Sequence, residues 1–392
     1  MSALNNIKRY FLSITTFAIL IFISGCASTD IYDIEKLNYA SAIGVDFKDG
    51  KYHGYIQFLD FQSVAKTSGQ KKSVNVWVGE GVGNSFEEAF FNLYKSSQER
   101  VYWGHVTSVL ITEAAFKKGF ESISDSISRY YEFRLTPWVF GTRESIKDIF
   151  STAGFFGQSP LSTILHEPEG TYSQASIIKS IKLHRLIAQV HEPGYTTAIP
   201  VLSLDSKNWS NKEKKEPKLT FDGAFFLKNT TFQNYMTLKD LEGLRWIQKG
   251  SIRIGVPVPR NEPALQIVFE KPKTKLNYVP AEKKPSFTVN IKARGYIVNR
   301  SKNDLQDLDQ LTEKTKEEIK REIEETFRAG KEKHIDVYNL EHTLYQKHFH
   351  NWKSLSSSDS PLIDDTAIRE INLNIDIEHS SSDKNRQIKN NK

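Results

Sequence analysis

Apolar and polar positions along this chain recur with two different periods, and the switches between them predict its elements. Residues 41–47 and 52–61 are β-rich runs on either side of Asp49-Gly50, a dipeptide that favours a tight hairpin because glycine tolerates positive φ. Residues 74–78 alternate apolar and polar and lead into Gly79-Glu80-Gly81-Val82-Gly83, which reads as a glycine-rich turn from strand to helix. Ser85 and Glu88 then make a capping box for a helix whose apolar face is Phe86, Ala89, Phe90 and Leu93. A strand at 106–112, a helix at 114–131 and a strand at 137–141 follow. The region reads as mixed α/β.

The pattern loosens at 154–172, where Gly, Pro and Ser predict short helical pieces in irregular chain, and tightens again into a helix expected at 176–190. Residues 205–218 carry Lys207, Lys212, Lys214, Lys215 and Pro217 with Trp209 as the one large apolar side chain, so they are expected to be a linker at a domain boundary. Beyond it, strands are expected at 220–228, 251–256, 265–270 and 287–298, with a short helix at 238–247. A long charged helix at 304–333 shows one stripe of Leu308, Leu311, Thr315, Ile319, Ile323 and Phe327, expected to pack on its own sheet. Glu317–Arg321 and Glu324–Arg328 are spaced for i,i+4 ion pairs. A helix at 336–349 and a strand at 371–377 complete the pattern, and the polar residues 379–392 read as a disordered tail. No internal repeat is present.

The N-terminus has a different grammar. Lys8 and Arg9 precede an apolar run at 11–22 that is too short to span a bilayer, and Ser24-Gly25 supply small residues before Cys26, the single cysteine of the chain. Residues 1–25 therefore read as a lipoprotein signal peptide and Cys26 as the lipidation site. Its thiol would take a diacylglycerol and it would become the new N-terminus. Two acyl chains, at about 0.8 kcal/mol per buried methylene, hold a protein on a membrane where one would not. Cleavage shortens the chain from 392 to 367 residues and lowers its net charge from +6 to +4. That mild surplus excludes a nucleic-acid footprint. With Cys26 acylated no thiol remains for a disulfide, so the exported part must be held by packing alone.

Catalytic and metal chemistry find no foothold in the pattern. Gly79, Gly81 and Gly83 lack the third glycine of a dinucleotide fingerprint, since position 84 is Asn84, and lack the Gly-Lys-Ser/Thr ending of a phosphate loop. His334, His342, His348 and His350 cluster along the chain without metal-ligand spacing and read as solvated. His105 is read as a core or interface residue, with no nucleophile elbow to serve. No catalytic residue, no metal and no cofactor is expected.

Several motifs, taken together, are more specific than any one of them. Ala42-Ile43-Gly44-Val45-Asp46 follows an acidic opening at 33–37. Gly81-x-Gly83-x-Ser85-x-x-Glu88-Ala89 follows, then Tyr102-Trp103-Gly104-His105-Val106, Ile111-Thr112-Glu113 and Arg134-Leu135-Thr136-Pro137-Trp138-Val139. The C-terminal half adds Gly223-Ala224-Phe225-Phe226, Leu241-Glu242-Gly243-Leu244-Arg245-Trp246, Asp336-Val337 and Asn351-Trp352-Lys353. Over nearly the whole mature chain this resembles the C-subunit lipoproteins of bacterial spore germinant receptors, the Ger(x)C family. One departure is visible: many members carry Trp-Asp directly after the lipidated cysteine, whereas Ala27-Ser28-Thr29-Asp30 stand here.

The resemblance implies an α+β fold of three consecutive sheet/helix domains: two within an N-terminal region at 26–204, then one at 219–378. It implies a non-enzymatic receptor subunit on the outer face of the spore inner membrane. The partners would be two multi-spanning subunits and the bilayer reached through Cys26, and the role would be nutrient-triggered germination. Whether a small molecule binds this subunit directly stays open. The competing readings are a solute-binding lipoprotein of a transporter, which would close around its own ligand, and a lipid-anchored cell-wall hydrolase, which would need paired carboxylates or a metal.

Overall fold

The computed structural model describes residue 15 and residues 37–59, 76–130, 132–260, 265–280, 284–300, 308–356 and 362–378. Cys26 and the tail at 379–392 lie outside the described residues. The first half runs β1 (Leu37–Lys48), β2 (Lys51–Leu59), β3 (Val76–Gly83), α1 (Phe86–Tyr94), β4 (Arg100–Tyr102), β5 (Ser108–Thr112), α2 (Glu113–Lys118) and α3 (Phe120–Arg129). It continues with β6 (Trp138–Thr142), α4 (Ile146–Ser151), two single 3-10 turns, α5 (Glu169–Gln174), β7 (Ile181–Lys182), α6 (Leu183–Val190) and β8 (Thr196–Asp205). Then come β9 (Ser210–Asn211), β10 (Lys214–Lys215), β11 (Lys218–Lys228), β12 (Thr231–Thr237), a 3-10 turn, α7 (Leu244–Ile247), β13 (Arg253–Val258), β14 (Leu265–Val279) and β15 (Ser286–Arg300). The chain closes with α8 (Leu308–Glu332), α9 (Leu340–Lys347), α10 (Phe349–Leu355) and β16 (Ile368–Glu378).

Ten strands form one mixed sheet in the order β12-β11-β8-β6-β5-β1-β2-β3, with β4 paired to β1 and β7 to β6. Every residue of β5 is buried, as a central strand covered on both faces requires. Val109 and Ile111 point into a core shared with α1, α2, α3 and α6, while Leu110 points into a second core under α4. The Asp49-Gly50 hairpin forms as expected, with both turn residues at positive φ (52° and 74°) between Lys48 and Lys51. The second sheet, β13-β14-β15-β16, is covered by α8, whose Leu311, Ile319, Ile323 and Phe327 enter its core. The architecture is α+β with several sheets.

Four expectations change in detail. The charged stretch at 205–218 is no slack tether: β9 and β10 pair as a small hairpin, and β8 and β11 on either side of it pair from Asp205–Lys218 to Thr196–Lys228. Lys207, Lys212, Lys214 and Lys215 are exposed on and beside this separate two-stranded hairpin, while Lys218 is buried against Phe155 at the start of β11. The helix expected at 114–131 breaks into α2 and α3 at Gly119, whose φ of 139° is a glycine conformation. The helix expected at 176–190 begins only at Leu183, because Ser176 is drawn away: its hydroxyl oxygen accepts from the N–H groups of Ile252 (2.9 Å) and Arg253 (3.1 Å). On α8, Arg321 pairs with Glu318 and lies 3.9 Å from Glu325, and Lys320 lies 3.9 Å from Glu324, in place of the expected pairs. Glu318 is buried on the packed face, so Arg321 folds over it.

Candidate functional site

The sequence motifs can be built up from what each side chain touches. Gly79, Gly81 and Gly83 belong to β3 itself, which corrects the reading of a turn. They lie at alternate positions beneath α1: a Cβ on Gly81 would stand 2.1 Å from the Ala89 carbonyl oxygen, and one on Gly83 would stand 2.4 Å from the Ala89 nitrogen. The glycines let a helix lie directly on a strand. The capping box holds that helix in place: Ser85 Oγ accepts from the Glu88 N–H (3.2 Å), and Glu88 accepts from the Asn84 N–H (2.7 Å).

Tyr102-Trp103-Gly104-His105 follows at the end of β4, which runs parallel to the first residues of β1 with Leu37 opposite Arg100. Trp103 is only 5% exposed and meets Phe90, Tyr94 and Tyr130 at ring-centroid distances of 5.7, 6.3 and 6.1 Å. Gly104 leaves room for the Tyr102 ring, since a Cβ there would be 2.7 Å from the Tyr102 hydroxyl oxygen. His105 is exposed and packs its ring beside Tyr39 and Tyr102. Around this locked centre, Phe91, Tyr130 and Leu135 stay exposed, at 64, 40 and 36%.

Leu241-Glu242-Gly243-Leu244-Arg245-Trp246 is a second lock. Glu322 of α8 is buried and accepts from Arg245 (2.6 Å) and from the Trp246 indole N–H (2.7 Å). Burial pushes the Glu322 carboxyl up despite these partners. Gly243 donates its N–H to the Thr326 hydroxyl (2.8 Å), and a Cβ on it would stand 2.4 Å from the Glu322 carbonyl oxygen. Arg260 joins Glu242 and Glu325 across the same helix.

Two domain descriptions match the chain: the spore germination protein N-terminal domain over residues 30–204, and the spore germination B3/GerAC-like C-terminal domain over residues 222–381. The chain belongs to the GerAC-like spore germination family. It is 25% identical over 291 residues to spore germination protein B3 of Bacillus subtilis (strain 168), covering 72% of each chain. The crystal structure of the GerBC protein superposes with a TM-score of 0.51, covering 88% of this chain and 99% of that one at 18% identity, a likeness of fold.

In this GerAC-like chain Gly81, Gly83, Trp103, Gly243 and Arg245 of those motifs are packing positions. The histidines read as solvated differ in setting: His342 is in fact buried, with Nδ1 3.0 Å from the Pro193 carbonyl oxygen, while His348 packs on Tyr278 and His350 is exposed. No group of three or more metal-ligating side chains comes together among the described residues. None of their helices is long and apolar enough to cross a membrane.

Sequence reasoning missed a polar spine beside the core under α4. His166 is fully enclosed, its Nδ1 2.6 Å from the Thr107 hydroxyl and its Nε2 3.1 Å from Gln57 Oε1. Gln57 in turn accepts from Ser41 (2.7 Å) and donates to the Phe150 carbonyl (2.7 Å). Burial alone brings His166 down to about 3. Nothing local marks these residues, because their partners lie 59 and 109 positions away.

Proposed function

We propose that this chain is the lipid-anchored, non-catalytic C subunit of a germinant receptor, needed for nutrient-triggered germination. It would sit on the outer face of the spore inner membrane beside two multi-spanning partners. The observation that carries the reading is the match of both family domains, which together take in nearly all of the chain beyond Cys26. The family motifs support a role in assembly, since Trp103, Gly243 and Arg245 hold elements together and present no reacting group to solvent. Cys26 supports the anchor, as the one cysteine placed directly behind a short apolar run and small residues.

The test is fractionation of spore membranes. Cys26→Ala is expected to abolish acylation and move the chain, expressed without its partners, into the soluble fraction. Co-purification of the wild-type chain with two polytopic subunits from detergent-solubilised membranes is the expected companion result. A chain that carries no lipid at Cys26, or that purifies with a transporter instead, would sink the reading.

A further inference from the structure

Where the two halves of the molecule meet, they leave a cleft of about 610 Å³. One wall is α5 and the 179–185 segment, and the other is Gly250 and Ile252 at the entry to β13. Its charge is lopsided. Lys179, Lys182 and Arg185 all line it, Glu169 is its one carboxylate, and none of the three cations has an ion-pair partner among the described residues. Lys182 lies over the Trp138 ring at 4.8 Å, and Lys179 reaches across to Gly250, where a Cβ would stand 3.1 Å from its Nζ.

Two further features do not fit a surface left to solvent. Lys182 is the N-cap of α6 and Arg185 lies in its first turn, with no acidic residue there, so cations crowd the positive end of the helix dipole. The Ser180 hydroxyl, also in the lining, is buried without a hydrogen-bond partner. Local rules broken together, with no carboxylate paired to these cations among the described residues, mark a functional surface.

We propose that this cleft binds a small organic dianion, a dicarboxylate. Three cations against one carboxylate leave two positive charges to be met. The Arg185 guanidinium offers a planar fork to one carboxylate, and the amines of Lys179 and Lys182 offer point charges to the other. The volume suits a small organic molecule and is far larger than inorganic phosphate needs. Because both halves line the cleft, the ligand would bridge them and stabilise the folded chain by mass action.

The full acylated chain in detergent, at low ionic strength, is titrated calorimetrically with succinate, glutarate, succinamide and inorganic phosphate, with thermal unfolding read in parallel. The expected result is one dicarboxylate per chain, a raised Tm, no response to neutral succinamide, and weaker binding of phosphate. The triple variant Lys179→Gln, Lys182→Gln, Arg185→Gln changes exposed and half-buried side chains and should keep its fold while binding at least tenfold more weakly. Absence of binding by either dicarboxylate up to about 10 mM, a range well above the millimolar limit of weak specific sites, overturns the proposal. So does equal affinity in the triple variant, which places the ion elsewhere, or phosphate binding as tightly as the dicarboxylates, which removes the organic ligand.

Discussion

Trp103 and His166 show how single residues carry this fold in opposite ways. Trp103 is a large aromatic closed in by Phe90, Tyr94 and Tyr130, so Trp103→Ala opens a cavity and should cost about 3–5 kcal/mol. Chemical denaturation of the purified variant measures it, and an unchanged midpoint would show that the ring is dispensable to the core. His166 is a polar group enclosed in its neutral form. Its folded pKa is depressed to about 3 from 6.5, so the unfolded chain binds the proton first as pH falls. The stability it protects is intact above 6.5 and drains away between 6.5 and 3, by up to about 1.4 kcal/mol per pH unit. Glu80 loses its contribution lower, between 4.5 and about 2: burial raises its carboxyl, but hydrogen bonds from Lys147, His53 and Tyr55 bring it down. Thermal unfolding from pH 7 to pH 4 should therefore show a slope that His166→Gln flattens and Glu80→Gln leaves in place above pH 5.

Elements were legible where their cause was local. Asp49-Gly50 carries its own turn geometry, and the Ser85/Glu88 box carries its own cap, so both could be read from neighbouring letters. Where the cause lies elsewhere in space, the pattern misled. Alternating glycines in β3 look like loop, yet they record the closeness of α1, which no local signal announces. Ala115, Phe116, Phe120, Ile123 and Ile127 keep an apolar face across Gly119, hiding the break between α2 and α3. The second half of β14 is polar on its exposed face, with Lys271, Lys273 and Lys275, so the apolar pattern stops at Glu270 while the strand continues to Val279. The close approach of α1 makes a prediction: Gly81→Val must push the helix off the strand, at about 1–3 kcal/mol or more. Hydrogen exchange should show early loss of protection in α1 while β5 keeps its own.

The whole molecule is fastened along a seam between its two large sheets. Ser176 binds the start of β13, the Gln248 side chain donates to the Ile177 carbonyl (2.8 Å), and the Thr196 N–H donates to Asn339 beside α9 (2.6 Å). Ser176→Ala leaves the Ile252 N–H and Arg253 N–H without this acceptor in a part-buried place, a cost of about 1 kcal/mol. The expected outcome is a calorimetric trace that separates into two transitions where the wild type gives one. A single transition lowered as a unit would mean that the apolar core in which Ile178, Phe226 and Met236 meet Trp246 and Phe269, and not this contact, couples the halves.

The placement of β1 has a mechanical side. Leu37 opens β1 eleven residues after Cys26, a span of at most about 40 Å, so a chain fixed at Cys26 would pass any load from the membrane into this strand. β1 is no edge: it is bonded to β2 on one flank and to β4 and β5 on the other. A pull along it meets hydrogen bonds lying across the line of force, so they share the load in shear and do not open one after another. The domain would be held to its anchor by an interior strand, and tension at the tether would be spread through the sheet before any pair gave way.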